Sequence, residues 1–260
     1  MAITRYEKKE MTMTTDAVVI EEPLEIYIGG KPHYLTMRMP GEEIYLALGY
    51  CFSEGIIDSK DDVHIVQYCG EEVGNRVEIA LARKRMAAKG LRIKKRALPT
   101  YSSCGICGKE MVEDIYMELN SREKSCSVPV SRIDDMMEEV EKQQQIFGET
   151  GATHAAAIFN RDFELLVISE DIGRHNALDK AIGRLVYEDK IGEAMVVAVT
   201  SRVSYEMVQK AGRSRAEILI GISTATSIAI DLAKHINLTL IGFARKGRCN
   251  VYTAAERIIF

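Results

Sequence analysis

The segment Tyr101-Ser102-Ser103-Cys104-Gly105-Ile106-Cys107-Gly108 places two thiols three positions apart where glycine breaks regular structure and leaves them accessible. The thiolate is the reactive form of cysteine. Lys109, the basic residues upstream and a helix starting near Gly108 would each lower a thiol pKa there. A structural zinc site would need a second CxxC, CxxH or HxxH partner, which the chain lacks. A thioredoxin-type redox pair opens a helix after a strand near the start of a βαβ unit, whereas this pair lies between two halves of the chain. Spacing alone leaves redox exchange and sulfur transfer both open. Of the six cysteines, the other four (Cys51, Cys69, Cys126 and Cys249) stand singly and read as small core hydrophobes.

A second chemistry is written in four polar loops. Residues 170–176 carry Gly173, Arg174 and His175, and residues 200–204 carry Ser201 and Arg202. Residues 223–227 are a run of hydroxyls, and residues 243–248 read Phe243-Ala244-Arg245-Lys246-Gly247-Arg248. Hydroxyls, guanidinium groups and glycine amides are what a phosphate-bearing ligand needs. Asn176 reads as an N-cap with Asp179 echoing a capping box, which places Arg174 and His175 just ahead of a helix N-terminus. A zinc deaminase would place Glu two residues after His154, with a later Pro-Cys-x-x-Cys. Ala156 stands there instead and the CxxC comes first, which argues against deamination.

The elements expected to position these groups fall into two parts. Residues 17–39 read as strand, Gly29-Gly30 turn, strand, and residues 42–53 as a helix stopped by Gly55. Strands follow over 63–68, 76–81 and 91–98. The second half opens with a helix over 131–147 capped by Ser131. Strands 154–159 and 164–169, helix 177–187, strand 194–200, helix 205–210, strand 217–222, helix 225–235 and strand 238–243 then alternate. Such alternation predicts an α/β fold with a largely parallel sheet, whose ligands bind beyond the carboxyl ends of the strands. The four polar loops should converge on that edge. The expected organisation is a β-rich part over 17–100, a connecting segment with the CxxC over 101–130, and an α/β cofactor-binding domain over 131–260.

With 260 residues, 47% of them hydrophobic, the chain can bury a substantial core. A net charge of -4 argues against a general nucleic-acid binder. The N-terminal residues lack the pattern of a signal peptide, and no apolar run approaches the roughly 18 residues of a membrane helix, so a cytoplasmic setting is expected. Residues 83–96 hold eight basic side chains and no acidic one, a solvated face or a docking surface for an anionic partner.

Taken together, residues 102–108, 150–156, 169–180, 201–210 and 243–248 closely resemble the FdhD family of formate dehydrogenase accessory sulfurtransferases. The likeness runs from about Glu21 to Thr253 and includes Leu48-Gly49-Tyr50-Cys51-Phe52-Ser53-Glu54-Gly55-Ile56-Ile57. It implies a sulfur carrier that takes sulfur from a cysteine desulfurase and passes it to the bis(molybdopterin guanine dinucleotide) cofactor before insertion into formate dehydrogenase. It also implies a cytidine-deaminase-like α/β domain and a homodimer. Cys104 and Cys107 match the family's reactive pair, and residues 243–248 its cofactor-binding motif, with guanine nucleotide as a partial mimic. A thiol-disulfide oxidoreductase would need the cysteines but not the loops. A non-catalytic cofactor chaperone would need the loops but not the cysteines.

Overall fold

The computed structural model describes residues 1–70, 74–87, 119, 121 and 123–260. The cysteine pair, the strand expected over 91–98 and most of the basic run lie outside the described residues.

Strands β3 (Glu22–Ile28) and β4 (Lys31–Arg38) form the expected hairpin, with Gly29 at φ 59° and Gly30 at φ 74°. Two successive positive φ values make the tight turn that matches strand twist, and glycine adopts them without strain. With β5 (Val63–Cys69) and β6 (Arg76–Leu81) they form a sheet ordered β4-β3-β6-β5. Pro23 sits in β3 ahead of the stretch paired to β6, which begins at Glu25, so its missing N–H interrupts no β3–β6 bond. Helix α1 (Glu43–Ser53) lies between this sheet and the second half of the chain. It is therefore buried nearly all round its second half, from Leu46 to Ser53, with Tyr50 only partly covered.

The larger sheet is ordered β13-β12-β11-β10-β8-β9. Its strands are β8 (His154–Phe159), β9 (Leu165–Asp171), β10 (Val196–Val199), β11 (Ile218–Gly221), β12 (Thr239–Arg245) and β13 (Arg248–Val251). Strands β10, β11 and β12 are parallel, while β8 runs against both β9 and β10, so β9 points the same way as the parallel three. This is the α/β sheet the resemblance implies.

Helices α4 (Arg174–Tyr187), α5 (Tyr205–Arg213) and α6 (Ser227–His235) connect β9 to β10, β10 to β11 and β11 to β12. Each crossover steps in the same direction across the sheet, so the right-handed rule puts all three helices on one face. The opposite face is covered by α2 (Val130–Gln143). Strand residues divide accordingly. Ala156, Ile158, Val197, Val199 and Leu219 join the core shared with α1 and α4, whereas Phe159, Val196, Ala198, Ile218 and Ile220 face the α2 side. Both faces being buried explains why these strands read as continuous apolar runs.

Several boundaries differ from expectation. Gly173, not Asn176, caps α4, and Asn176 lies inside its first turn. Its side-chain amide instead donates to Asp171 Oδ1 at 3.1 Å and to the Met37 carbonyl at 2.8 Å, while its oxygen accepts from Thr36 Oγ1 at 3.2 Å. Asn176 thus ties α4 to β4, a partner that local sequence cannot reveal. Asp179 caps nothing. It is buried and paired with Lys210. Helix α2 begins at Val130 with Pro129 at the cap position, and a break at Gln144 separates it from α3 (Gln145–Thr150), whose first amides donate to the Glu170 carboxylate. The first 16 residues, for which no element was expected, form an exposed hairpin of β1 (Ala2–Glu7) and β2 (Glu10–Thr15) that turns at Lys8 and Lys9. No glycine marks that turn. The short strands β7 (Val128–Pro129) and β14 (Ile258–Ile259) pair in parallel beside α2.

Candidate functional site

Because β9, β10, β11 and β12 share a direction, the segments leaving them emerge on one edge, and the structure links them there. Val203 N–H donates to the Thr224 carbonyl at 3.0 Å, and Phe243 N–H to the Ser223 carbonyl at 3.1 Å. His154, which begins β8, places Nδ1 3.2 Å from the Thr200 carbonyl, and its neighbour Ala155 takes a bond from its own N–H to Thr200 Oγ1 at 2.8 Å. His175 Nε2 lies 2.6 Å from Glu206 Oε2, joining the 170–176 segment to the start of α5. The expected four-segment convergence is present. The N-termini of α4, α5 and α6 also open on this edge, and their free amides and dipoles favour negative charge.

Residues 243–248 are not a loop throughout. β12 extends to Arg245, β13 starts at Arg248, and Lys246 (φ 53°) and Gly247 (φ 73°) form the tight turn between them. Arg245 and Arg248 are directly paired across the strands, so two guanidinium groups flank the turn. Gly247 N–H donates to Asp134 Oδ1 of α2 at 3.3 Å, and Arg248 sits over the Phe243 ring at 5.5 Å. An open cleft of about 350 Å³ is lined by Arg245, Lys246 and Arg248. Phe243 occupies a bulge at φ 53°, and Ala244 is fully buried, so Ala244 can offer a ligand only its backbone.

At the other end of the edge Arg174 and His175 open α4, and Arg174 Nε is buried without a hydrogen-bond partner among the described residues. Ser204 Oγ, next to α5, is in the same state. Between the two ends, Ser201 is buried with its hydroxyl donating to the Arg202 carbonyl at 3.0 Å, and Arg202 is exposed. Four strand spacings of ~4.8 Å separate β12 from β9, so the ends of these two strands stand about 19 Å apart along the edge, with Arg202 beyond β10 between them.

The charge pattern behind this edge is fixed by buried pairs. Lys180 Nζ lies 2.7 Å from Asp171 Oδ2, both fully buried, and Asp171 also accepts from Met39 N–H and Gly173 N–H. That network holds the 170–176 segment in place. Burial raises the Glu206 carboxyl, yet the His175 contact and the nearby Lys210 outweigh it and hold Glu206 below the usual carboxylate range. Neither Glu206 nor His154 figured among the expected site residues, although both fall inside the stretches on which the resemblance rests. Their roles depend on a partner from another element. Of the lone cysteines, Cys51 and Cys126 are buried, and burial together with Glu217 pushes the Cys126 thiol up to about 11. Such thiols are inert, as expected of core residues.

Fold and edge define an α/β protein with a basic, hydroxyl-rich edge at the carboxyl ends of its parallel strands and a basic cleft at one end of it. Residues 19–259 match the FdhD/NarQ family, and the chain belongs to it. It is 40% identical to the sulfur carrier protein FdhD of Sulfurisphaera tokodaii over 94% of this chain and 92% of that protein. The protein of the same name from Mycolicibacterium paratuberculosis is 36% identical over the same shares. A crystal structure of a protein from Desulfotalea psychrophila, described as a formate dehydrogenase accessory protein, superposes with a TM-score of 0.79 over 100% of this chain and 98% of that one. At 22% identity that likeness speaks for the fold. Among the described residues, no helix is long and apolar enough to cross a membrane.

Proposed function

We propose that the protein is a cytoplasmic sulfur carrier that takes persulfide sulfur from a cysteine desulfurase and delivers it to the bis(molybdopterin guanine dinucleotide) cofactor destined for formate dehydrogenase. The observation that carries this reading is the edge itself. Arg245 and Arg248 beyond β12, Arg202 beyond β10 and Arg174 beyond β9, with three helix N-termini between and beside them, suit a substrate bearing two pyrophosphate arms. Arg245 and Arg248 would grip one arm bidentately and Arg174 and Arg202 the other, with Lys246, His175 and the amides at the helix N-termini completing the oxygens. The unpartnered Arg174 Nε and Ser204 Oγ are groups that such a ligand would satisfy.

The sulfur chemistry falls to Cys104 and Cys107. The thiolate of one attacks the outer sulfur of the desulfurase persulfide and displaces the desulfurase thiolate, which leaves a persulfide on the carrier. Attack by the second thiolate on the inner sulfur releases hydrosulfide and forms a Cys104–Cys107 disulfide, which an external thiol must then reduce.

Intact-mass measurement after incubation with a cysteine desulfurase and cysteine tests the proposal. One added sulfur, removable by reductant and absent when both Cys104 and Cys107 are replaced by alanine, is the expected result. A plain disulfide with no sulfur gain points instead to an oxidoreductase. Full client activation by the doubly substituted protein points to a chaperone.

A further inference from the structure

The basic turn between β12 and β13 stands clear of the sheet. The last residues paired between β11 and β12 are Ile220 and Ile241, and β12 runs on to Arg245, about 13 Å beyond that pair at ~3.3 Å per residue. Pairing with β13 is itself irregular between Gly242 and Arg245, where Phe243 adopts φ 53°. Such a bulge bends a strand and interrupts its ladder. Ala244 is buried in the core beneath α2, but the next four residues, Arg245 to Arg248, are all exposed. Strand pairing at the base therefore does little to fix where the three cationic side chains point.

A contact from α2 does. Among the described residues, the hydrogen bond that ties the turn to another element is Gly247 N–H to Asp134 Oδ1 at 3.3 Å. Helix α2 is a firm base for it, since Ile133, Met136, Met137 and Val140 are buried against the sheet. The neighbouring carboxylate, Asp135, is paired with Arg132 at 3.1 Å, whereas Asp134 is half-buried and turned to the hairpin. Cys249, which follows Arg248, lies in its field, and burial together with Asp134 holds that thiol above its usual range.

We infer that Asp134 is a positioning residue of the cleft, bracing Gly247 from α2 so that Arg245, Lys246 and Arg248 form one wall for a pyrophosphate, an inference that rests on the cofactor-binding reading above. A turn ordered before the ligand arrives loses less freedom on binding. The same carboxylate also repels the anion that the wall attracts. Its two effects are chemically separable. Asparagine keeps the acceptor for Gly247 N–H and removes the charge, and alanine removes both.

Calorimetry on the full chain with guanosine diphosphate tests this. Asp134→Asn should bind about three- to tenfold tighter than Asp134→Ala, the worth of one net hydrogen bond, although the two carry the same charge. Against wild type, Asp134→Asn should bind at least as tightly at low ionic strength, with any gain fading as salt screens the lost repulsion. Without ligand, hydrogen exchange at the Gly247 amide should be slow in wild type and Asp134→Asn and faster in Asp134→Ala. Alkylation of Cys249, followed by peptide mass, should quicken alike in both variants, because both remove the charge that holds the thiol up. Equal affinities for Asp134→Asn and Asp134→Ala overturn the inference, and if Arg248→Ala still loses affinity the cofactor-binding reading stands. Should guanosine diphosphate not bind wild type at all, that reading falls, and the Gly247 exchange rates alone decide whether Asp134 braces the turn.

Discussion

Asp179 and Lys210 form a buried ion pair whose two O···N distances are both 2.8 Å, and it bolts α4 to α5 one turn behind the helix ends at the polar edge. Burial alone would lower the lysine pKa, but Asp179, Glu54 and the Asp179 hydrogen bond together raise it, so Lys210 stays charged. Removing one partner strands the other charge in the core. Asp179→Ala or Lys210→Met should each cost about 3–5 kcal/mol, read by urea unfolding, while Asp179→Leu combined with Lys210→Met should recover most of the loss. Equal destabilisation by the double variant would show that the hydrogen bond from Ser53 Oγ to Asp179, not the charge pair, carries the effect.

Helices α1 and α4 meet through glycine. A methyl group added at Gly183 would overlap the Tyr45 carbonyl, and one at Gly49 would overlap the Asp179 carbonyl. These are backbone atoms and cannot swing aside. Gly183→Ala and Gly49→Ala should each destabilise by about 3 kcal/mol or more, well beyond the small helix-propensity gain of alanine. A melting temperature within a degree or two of wild type for either variant would contradict this packing.

Arg248 lines the cleft opposite Arg245 on the β12–β13 turn. Loss of a charge-assisted contact is worth about 1.5–3 kcal/mol, so Arg248→Ala should weaken guanosine diphosphate binding at least roughly tenfold, with lysine a poor substitute. Sulfur loading by a desulfurase should continue while client activation fails. Calorimetry giving wild-type affinity would remove this turn from the site.

Binding and sulfur chemistry should separate. Cys104→Ala should abolish or redirect the sulfur adduct seen by intact mass yet bind guanosine diphosphate within about twofold of wild type, because the proposed binding edge draws its groups from residues 174–248. A large loss of nucleotide affinity with circular dichroism unchanged would mean the cysteine segment belongs to the binding site.

Glu217 governs an acid limb of stability. Burial raises its pKa, but hydrogen bonds from Ser125 and the adjacent Arg257 outweigh that and leave it below its ordinary value of 4.5. A carboxylate whose folded pKa is depressed contributes stability above its unfolded pKa and loses it as pH falls through the folded one. Wild type should therefore lose stability below about pH 4.5, and Glu217→Gln should start less stable at pH 7 with a shallower acid slope. Parallel acid denaturation curves for the two proteins would assign the slope to other groups.

The sequence by itself determined the order and kind of most elements. Apolar runs and glycine punctuation set β3–β4 around Gly29-Gly30, helix α1 before Gly55, and the β10-α5-β11-α6-β12 alternation. From that alternation followed the edge on which Arg174, His175, Ser201, Arg202, Arg245 and Arg248 gather, because parallel strands must end on one side. What the tertiary structure decided is which of those groups are already spoken for. Asn176 and Asp179 have the spacing of a cap, and local energetics favour one. Thr36 and Met37, some 140 positions away, claim the first, and Lys210 on the neighbouring helix claims the second. Residues 243–248 have the composition of a loop, but pairing between β12 and β13 makes them a hairpin tip. Glu206 looks like any acidic residue in a helix's first turn until α4 sets His175 against it. Periodicity and turn chemistry are local and legible in one dimension. The pairing of a buried charge or amide is a choice among partners that only the packed helices and strands bring within reach.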